Sequence, residues 1–319
     1  MSSKVVTGSA GFIGSTLAQR LLDDGCDVVG IDCITDYYDP ERKRQNLKLL
    51  RNYDNFTFVE ADLRTDVSLV DAVVAECDVI YHQAGQPGVR SSWSDGFAEY
   101  VDRNVLATQR LLESVRGRTD LTFVYASSSS VYGNAASWPC TEQSVPRPFS
   151  PYGVTKLSAE HLVSLYAENF GLHSTSLRYF TVYGPRQRPD MAFTKFIESA
   201  QSGEELTLYG DGTQVRDFTY VDDIVEANIL AATSRPSGQV YNLSGATHAT
   251  VNDVIRVLGD IHGAPIGVNR IGSQAGDVRR TDGDSAKIKA ELGWKPTVGL
   301  EEGLARQYDW CLSRSENSA

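Results

Sequence analysis

Through the first half of the chain, short runs of β-branched and aromatic residues alternate with segments of helical period. The apolar runs are KVVTGSA, CDVVGID, FTFVEAD, CDVIYHQAG and LTFVYAS. Between the first two, FIGSTLAQRLLDDG places Ile13, Leu17 and Leu21 four residues apart, and Gly25 supplies a C-terminal stop. Strands alternating with helices predict an α/β fold: a doubly wound parallel sheet with helices on both faces. Beyond residue 180 the pattern loosens into Gly- and Pro-rich turns such as GDGTQ and RPSGQ, whereas QVYNLSG reads as a strand returning to the sheet. The expected division is therefore a sheet domain over 1–180, with returning segments near 217–245, and a smaller interleaved substrate-binding α/β region over 181–319.

At 319 residues, 41% hydrophobic and 22% charged, the chain suits one large or two closely joined globular domains. A formal net charge of -11 argues against broad attraction to nucleic acid or an anionic membrane, so anionic small molecules need a local basic pocket. Cys26, Cys33, Cys77, Cys140 and Cys311 lack metal-ligand spacing, and their odd count fits a reducing cytoplasm. MSSKVVTGSAGF enters a strand with no charged-then-apolar leader, and no apolar run reaches bilayer-spanning length. No His/Cys/carboxylate cluster for a metal is expected, because His82, His161, His173, His248 and His262 are widely separated. The polar tail SRSENSA is expected to be disordered.

Gly8, Gly11 and Gly14 recur at three-residue spacing where the first strand turns into the first helix. Such glycines let a pyrophosphate approach the helix N-terminus, whose N–H groups and dipole favour an anion; ordinary packing glycines are the plainer reading. Asp32 ends the second strand where an acid accepts hydrogen bonds from an adenosine ribose, and a carboxylate there repels a 2'-phosphate, favouring NAD over NADP. Asp62 and Leu63 close the third strand and border the adenine, or Asp62 caps a helix.

In SPYGVTK, Tyr152 and Lys156 lie one helical turn apart. A phenol titrates near pH ~10, so a tyrosine base needs a neighbouring cation, which Lys156 provides. Upstream, YASSSSVYG ends a strand in serines at the carboxyl edge, where doubly wound sheets bind ligands and a hydroxyl can relay a proton. An exposed Tyr/Lys pair and a serine-rich loop are the alternatives.

GSAGFIG, YASSSSVYG, SPYGVTK, YFTVYGP and RDFTYVDDIV, in this order, resemble the extended short-chain dehydrogenase/reductase family with its Rossmann-type fold, over about Lys4 to Trp310. The resemblance implies Ser128, Tyr152 and Lys156 as the catalytic set. It implies tightly held NAD, with Phe12, Ile13 and Ala84 joining Gly8, Gly11, Gly14, Asp32, Asp62 and Leu63 around it. It also implies a homodimer through the helices near Tyr152–Phe170 and Glu99–Arg116.

Within the family the chain is most similar to nucleotide-sugar epimerases. Ser129 and Ser130 stand where 4,6-dehydratases carry an Asp-Glu pair, and Ser130 where UDP-glucuronate decarboxylases keep a glutamate. Thr181 replaces the asparagine of FNVYGP, and TVYGPRQRPDMAF, DYYDPERKRQNL and HQAGQPGVR are similar to UDP-glucuronate 4-epimerases. That resemblance implies C4 epimerisation of UDP-glucuronate to UDP-galacturonate through a 4-keto sugar. Arg188, Thr181, Ser129 and Ser130 then face the carboxylate, with Arg186 a second candidate, while Arg90, Arg216, Asp277 and Arg279 serve the UDP-sugar. Gln274 stands where many UDP-sugar epimerases have arginine. A neutral UDP-hexose or UDP-N-acetylhexosamine 4-epimerase is the alternative, followed by a dehydratase, decarboxylase or reductase and by a non-catalytic dinucleotide sensor.

Overall fold

The computed structural model describes residues 3–245, 247–272 and 278–316. The apolar runs form β1 (Ser3–Thr7), β2 (Val28–Asp32), β3 (Phe56–Glu60), β4 (Cys77–His82), β5 (Thr122–Ser128) and β6 (His173–Tyr179). Beyond them lie β7 (Thr181–Tyr183), β8 (Leu206–Tyr209), β9 (Val215–Tyr220), β10 (Gln239–Leu243), β11 (Thr247–Thr250) and β12 (Val268–Ile271). One seven-stranded sheet runs β10-β6-β5-β4-β1-β2-β3, and every pairing in it is parallel. The strand order reverses between β1 and β4, which opens a crevice at the carboxyl ends of the strands.

Both faces of this sheet are covered, as a parallel sheet requires. Val6 and Val124 point into one apolar cluster with Leu17 and Leu21 of the helix Phe12–Asp23. Val5 and Phe123, one residue earlier on their strands, point into the other with Leu111 and Val163. Ile13 is partly buried against the first cluster, and the helix stops at Asp23 because Gly25 turns the chain at φ +79°.

The segment QVYNLSG does return to the sheet: β10 pairs with β6, Tyr241 opposite Leu177. The rest of the second half builds a three-stranded sheet, β11-β9-β7, and a parallel pair, β12-β8. Trp294, fully buried, donates its indole N–H to the Asp223 carbonyl at 2.8 Å and seats the C-terminal segment against the helix Val221–Ser234. The polar tail departs from expectation, since the helix Leu300–Glu316 runs on through Arg314 to Glu316. Residues 317–319 lie outside the described residues.

A buried ion pair ties the helix Pro151–Phe170 to the sheet. Glu160 accepts two bonds from Arg178 of β6, at 3.0 and 2.5 Å, and one from Ser127 of β5 at 2.6 Å. The third guanidinium nitrogen donates to the Tyr132 hydroxyl at 2.6 Å, which donates onward to Asn242 of β10 at 2.7 Å. Such a network stabilises only when complete, because removing one partner strands a charge in low dielectric. Glu160→Gln should therefore cost about 3–5 kcal/mol in urea unfolding, and Glu160→Gln/Arg178→Met together should cost less than the single change. A loss below about 1 kcal/mol for Glu160→Gln would mean that the pair contributes little.

Candidate functional site

The crevice between β1 and β4 is shaped for close backbone approach. Gly8 sits at φ +69°, and a Cβ there would lie 2.8 Å from the Ala84 nitrogen; one on Gly14 would lie 2.1 Å from the Gly8 carbonyl oxygen. Gly11 caps the helix Phe12–Asp23 with no side-chain hydrogen bond, and the first turn carries no acid. An anion there meets bare N–H groups and the positive end of the helix. The Ser9 hydroxyl is buried without a partner. Phe12 is buried in the core behind the turn. His82 bridges Thr7 and Thr108 at 2.8 and 2.9 Å, and burial lowers its pKa to about 3, so the neutral ring braces Thr7, which accepts the Ala84 N–H at 3.1 Å.

A narrow hollow beside this turn is lined by Gly8, Asp32, Asp62, Leu63, Ala84 and Arg103, among others. Asp32 accepts the N–H groups of Ala10 and Ile34 at 3.1 and 2.9 Å, and burial raises its pKa despite the nearby Lys43 charge. Each carboxylate oxygen can accept a second bond, so Asp32 keeps capacity for a ribose. Asp62 is not a helix cap: Asp66 occupies that place before the helix Val67–Val74. Instead Asp62 holds the Arg64 side chain at 2.7–3.1 Å. These residues fit a dinucleotide.

At the end of β5, Ser128 accepts the Ser130 N–H at 3.1 Å as the chain enters a short 3-10 turn, Ser129–Val131. Ser150 caps the helix Pro151–Phe170 by accepting the Gly153 N–H at 3.1 Å, which puts Tyr152 in its first turn. Burial raises the Tyr152 pKa, while a hydrogen bond with Ser128 and then the Arg188 charge oppose that rise. Lys156 is buried, its Nζ 4.6 Å from the Tyr125 ring centre, and burial lowers its pKa to about 7 against the pull of Glu160. Ser128, Tyr152 and Lys156 therefore share one corner of the crevice.

A neighbouring π-helical turn, Val101–Leu106, braces that corner. Its Asn104 accepts the Gln86 N–H at 2.6 Å and donates to the Gln86 carbonyl and the Thr155 hydroxyl at 3.1 and 3.0 Å. Tyr100 packs edge-on to Tyr152, ring centres 6.2 Å apart, and its hydroxyl lies 2.6 Å from that of Ser91.

Ser91 also lines a cleft of about 570 Å3, with Tyr37, Arg90, Thr181, Asp190 and Arg216. Arg90 stacks over the Tyr209 ring at 4.1 Å. Arg216 donates to the Val215 carbonyl at 3.0 Å, while its neighbour Asp217 turns away to accept from Ser244 and from the Gly245 N–H at 2.5 Å. Arg279 is exposed, and its carbonyl accepts the Val215 N–H at 3.2 Å, beside the strand that carries Arg216. Asp277 and Gln274 lie outside the described residues. Ser129, Ser130 and Thr181 are part-buried.

The two arginines of the basic stretch part company. Arg186 reaches the helix Phe12–Asp23, donating to Ser15 at 3.5 Å and to Gln19. Arg188 grips Asp190 through Nε and Nη2, each at 2.9 Å. Burial is the largest single influence and works against its charge, but Asp190 with Tyr37 and Tyr38 together raise the guanidinium pKa.

One expectation fails. The histidines do not all stand apart from acids: antiparallel pairing of β11 with β9 sets His248 opposite Asp217. Its ring lies 3.7 Å from Asp217 through Nε2 and 3.5 Å from Asp282 through Nδ1. The two nitrogens face different acids, so the ring bridges them; sheet register, invisible in the spacing of histidines along the chain, makes the contact. Sequence reading also missed Asp190, Tyr37, the Ser91–Tyr100 pair and Asn104. Only Asp190 carried a local signal, an acid two residues after Arg188.

Known proteins resemble this chain along nearly its whole length. The family profile described as GDP-mannose 4,6 dehydratase matches residues 5–307. The uncharacterized UDP-glucose epimerase YtcB of Bacillus subtilis is 43% identical, covering 97% of this chain and 98% of that one. The UDP-glucuronate 4-epimerase of Thermodesulfobacterium geofontis is 36% identical, covering 99% and 98%. The crystal structure of UDP-glucuronic acid 4-epimerase from Bacillus cereus, in complex with UDP-glucuronic acid and NAD, superposes with a TM-score of 0.93 at 41% identity, covering 98% and 99%. Matched along nearly its whole length, the chain belongs to the GDP-mannose 4,6 dehydratase family, within the extended short-chain dehydrogenases/reductases.

Proposed function

We propose that this protein is a UDP-glucuronate 4-epimerase with bound NAD. One observation carries the choice of substrate: the Arg188 charge works against the rise of the Tyr152 pKa, while Arg186 is committed to the helix Phe12–Asp23. A C6 carboxylate sits one carbon from the ring position at which Tyr152 works, so a guanidinium near that tyrosine is where an acidic sugar needs it. The family name is that of a dehydratase, but Ser129 and Ser130 supply neither the acid nor the base that elimination of water requires.

Tyr152, with Ser128 bridging, takes the proton from the sugar 4-hydroxyl and later returns it. Lys156 stabilises the phenolate, and the two titrate as a pair: loss of the Tyr152 proton raises Lys156 in turn. The turn over Gly8, Gly11 and Gly14, with Asp32, Asp62, Leu63 and Ala84, would hold NAD. When bound, NAD supplies a hydride acceptor and then a hydride donor at C4. Arg90, Arg216 and Arg279 serve the UDP diphosphate, which leaves the ketone free to turn and present its other face. Arg188, Thr181, Ser129 and Ser130 hold the carboxylate, since a bidentate guanidinium fixes its plane better than a point charge does.

Two further features complete the reading. Leu165, 50% exposed, and Val154 on the helix Pro151–Phe170 join Phe97 and Leu106 as apolar residues on the surface. We assign these faces to a homodimer. None of the five cysteines is in a disulfide, which fits a reducing cytoplasm, and no described helix is long and apolar enough to cross a membrane.

Purified protein given UDP-glucuronate and no added cofactor should yield UDP-galacturonate. Arg188→Ala should lower kcat/KM on this sugar by roughly 10–100-fold, the worth of a charge-assisted bond, with little change on UDP-glucose. Equal losses on both sugars would remove the acid-sugar reading. Leu165→Glu should shift the protein towards monomer in sedimentation; an unchanged mass would place the interface elsewhere. Lys156 offers a pH test. Its pKa is about 7 in the fold against an ordinary 10.5, so between these values the unfolded chain binds a proton that the fold does not, and stability rises with pH. Wild type should therefore gain on Lys156→Met in urea unfolding from pH about 7 to about 10, with its least favourable contribution below that window. A difference that stays flat with pH would show that Lys156 is not depressed.

A further inference from the structure

The reading above gives Arg188 a task but not the means of holding still. A four-bond arginine side chain on a loop has many rotamers, and freezing them costs conformational entropy at the moment of binding unless something has frozen them beforehand. The loop here folds back on itself: the Met191 N–H meets the Arg188 carbonyl at 3.1 Å, and this turn sets the Asp190 carboxylate against the side edge of the guanidinium. Both contacts are 2.9 Å, one to Nε and one to Nη2. Of the five guanidinium donors, both on Nη1 lie outside this pair.

We infer that Asp190 is a positioning residue for the epimerisation: it fixes the Arg188 guanidinium by its Nε/Nη2 edge, so that the opposite end meets the sugar carboxylate in a single orientation. The inference rests on the UDP-glucuronate reading. Three observations support it. Asp190 lines the cleft beside Thr181, so the acid that grips Arg188 stands at the wall where the acidic sugar is expected. Held by Asp190, the Arg188 charge works against the rise of the Tyr152 pKa, so the clamped guanidinium is electrostatically linked to the reacting end. Tyr37, which lines the same cleft, and Tyr38 also act electrostatically on the guanidinium.

Orientation matters because the 4-keto sugar is a β-keto acid. If the C5–C6 bond aligns with the ketone π system, that bond breaks, its electron pair passes into the C4–C5 enolate, carbon dioxide leaves, and C5 takes a proton from water. A guanidinium held on one edge cannot roll, so the carboxylate plane it grips cannot roll either. Loss of the clamp should therefore change what the enzyme makes as well as how fast it works.

The test compares wild type, Asp190→Asn and Asp190→Ala, with Arg188→Ala as reference. Binding of UDP, UDP-glucose and UDP-glucuronate is measured by calorimetry, and the products from UDP-glucuronate are separated and counted. Asp190→Asn should weaken UDP-glucuronate by about tenfold, leave UDP and UDP-glucose within about twofold, and release a pentose-4-ulose with carbon dioxide where wild type releases almost none. Unchanged UDP binding reports that the variant is folded. Equal weakening of all three ligands would make Asp190 merely structural, and tighter UDP-glucuronate binding would make it a competitor for the arginine; either result overturns the inference while leaving the epimerase reading intact. If wild type neither prefers nor epimerises UDP-glucuronate, and Arg188→Ala changes nothing, the functional reading itself fails and the inference falls with it.

Discussion

A buried ammonium one helical turn from a phenol is the constraint around which this molecule is arranged. In the proposed chemistry Lys156 steadies the Tyr152 phenolate from a buried position, yet burial is what strips its proton, and its pKa falls to about 7. The surrounding structure manages that conflict. Glu160, one turn further along the helix, opposes the fall, and the Arg178, Ser127 and Tyr132 contacts hold Glu160 in place without leaving any of their own polar atoms stranded. The same contacts tie the end of β5, and hence Ser128, to the helix that carries the tyrosine. Stability and chemistry here use one set of side chains.

For the proposed substrate, whose diphosphate and carboxylate carry three negative charges, an acidic protein has to concentrate its positive charge rather than spread it. Arg90 stacks on Tyr209, and Arg188 pairs with Asp190. Each cation is thus oriented by a ring or an acid, which lets a net charge of -11 coexist with a local anion site. The Asp217–His248–Asp282 contact works in the same spirit. It pins β9, β11 and the segment around Asp282 together just behind Arg216 and Arg279, and at a raised pKa of about 6 Asp217 is held back chiefly by burial.

Much of this was legible in the sequence, for identifiable reasons. Strand–helix alternation gave the parallel sheet because both faces of a buried strand must be apolar. The glycine spacing, Asp32 and the Tyr152/Lys156 pair could be read because each rests on local geometry: a turn, a strand end, one helical turn. Gly8 at positive φ and Gly14 against the Gly8 carbonyl show the turn at work. What escaped depends on contacts between distant segments. His248 meets Asp217 only through sheet register, and Asn104 reaches Gln86 and Thr155 only because a π-helical turn rotates it there. The separation of Arg186 from Arg188 was equally hidden, since adjacent side chains on a loop point where their partners happen to be. The start of the tail, 313–316, was misread because a polar composition was taken for disorder, although it continues a helix that buries Leu304, Tyr308 and Cys311 on one face.

The place of β10 at the end of the seven-stranded sheet has a consequence for how the chain is made. β6 leaves the ribosome with one side unpaired, and the strand that covers it is encoded some sixty residues later, after most of the cleft has been synthesised. During that interval a row of open amides and carbonyls is available to any neighbour, the circumstance in which parallel sheets recruit the wrong partner. A gene fragment cut after β6 would inherit this open border permanently. The parallel sheet is thus complete only once its last strand has been made.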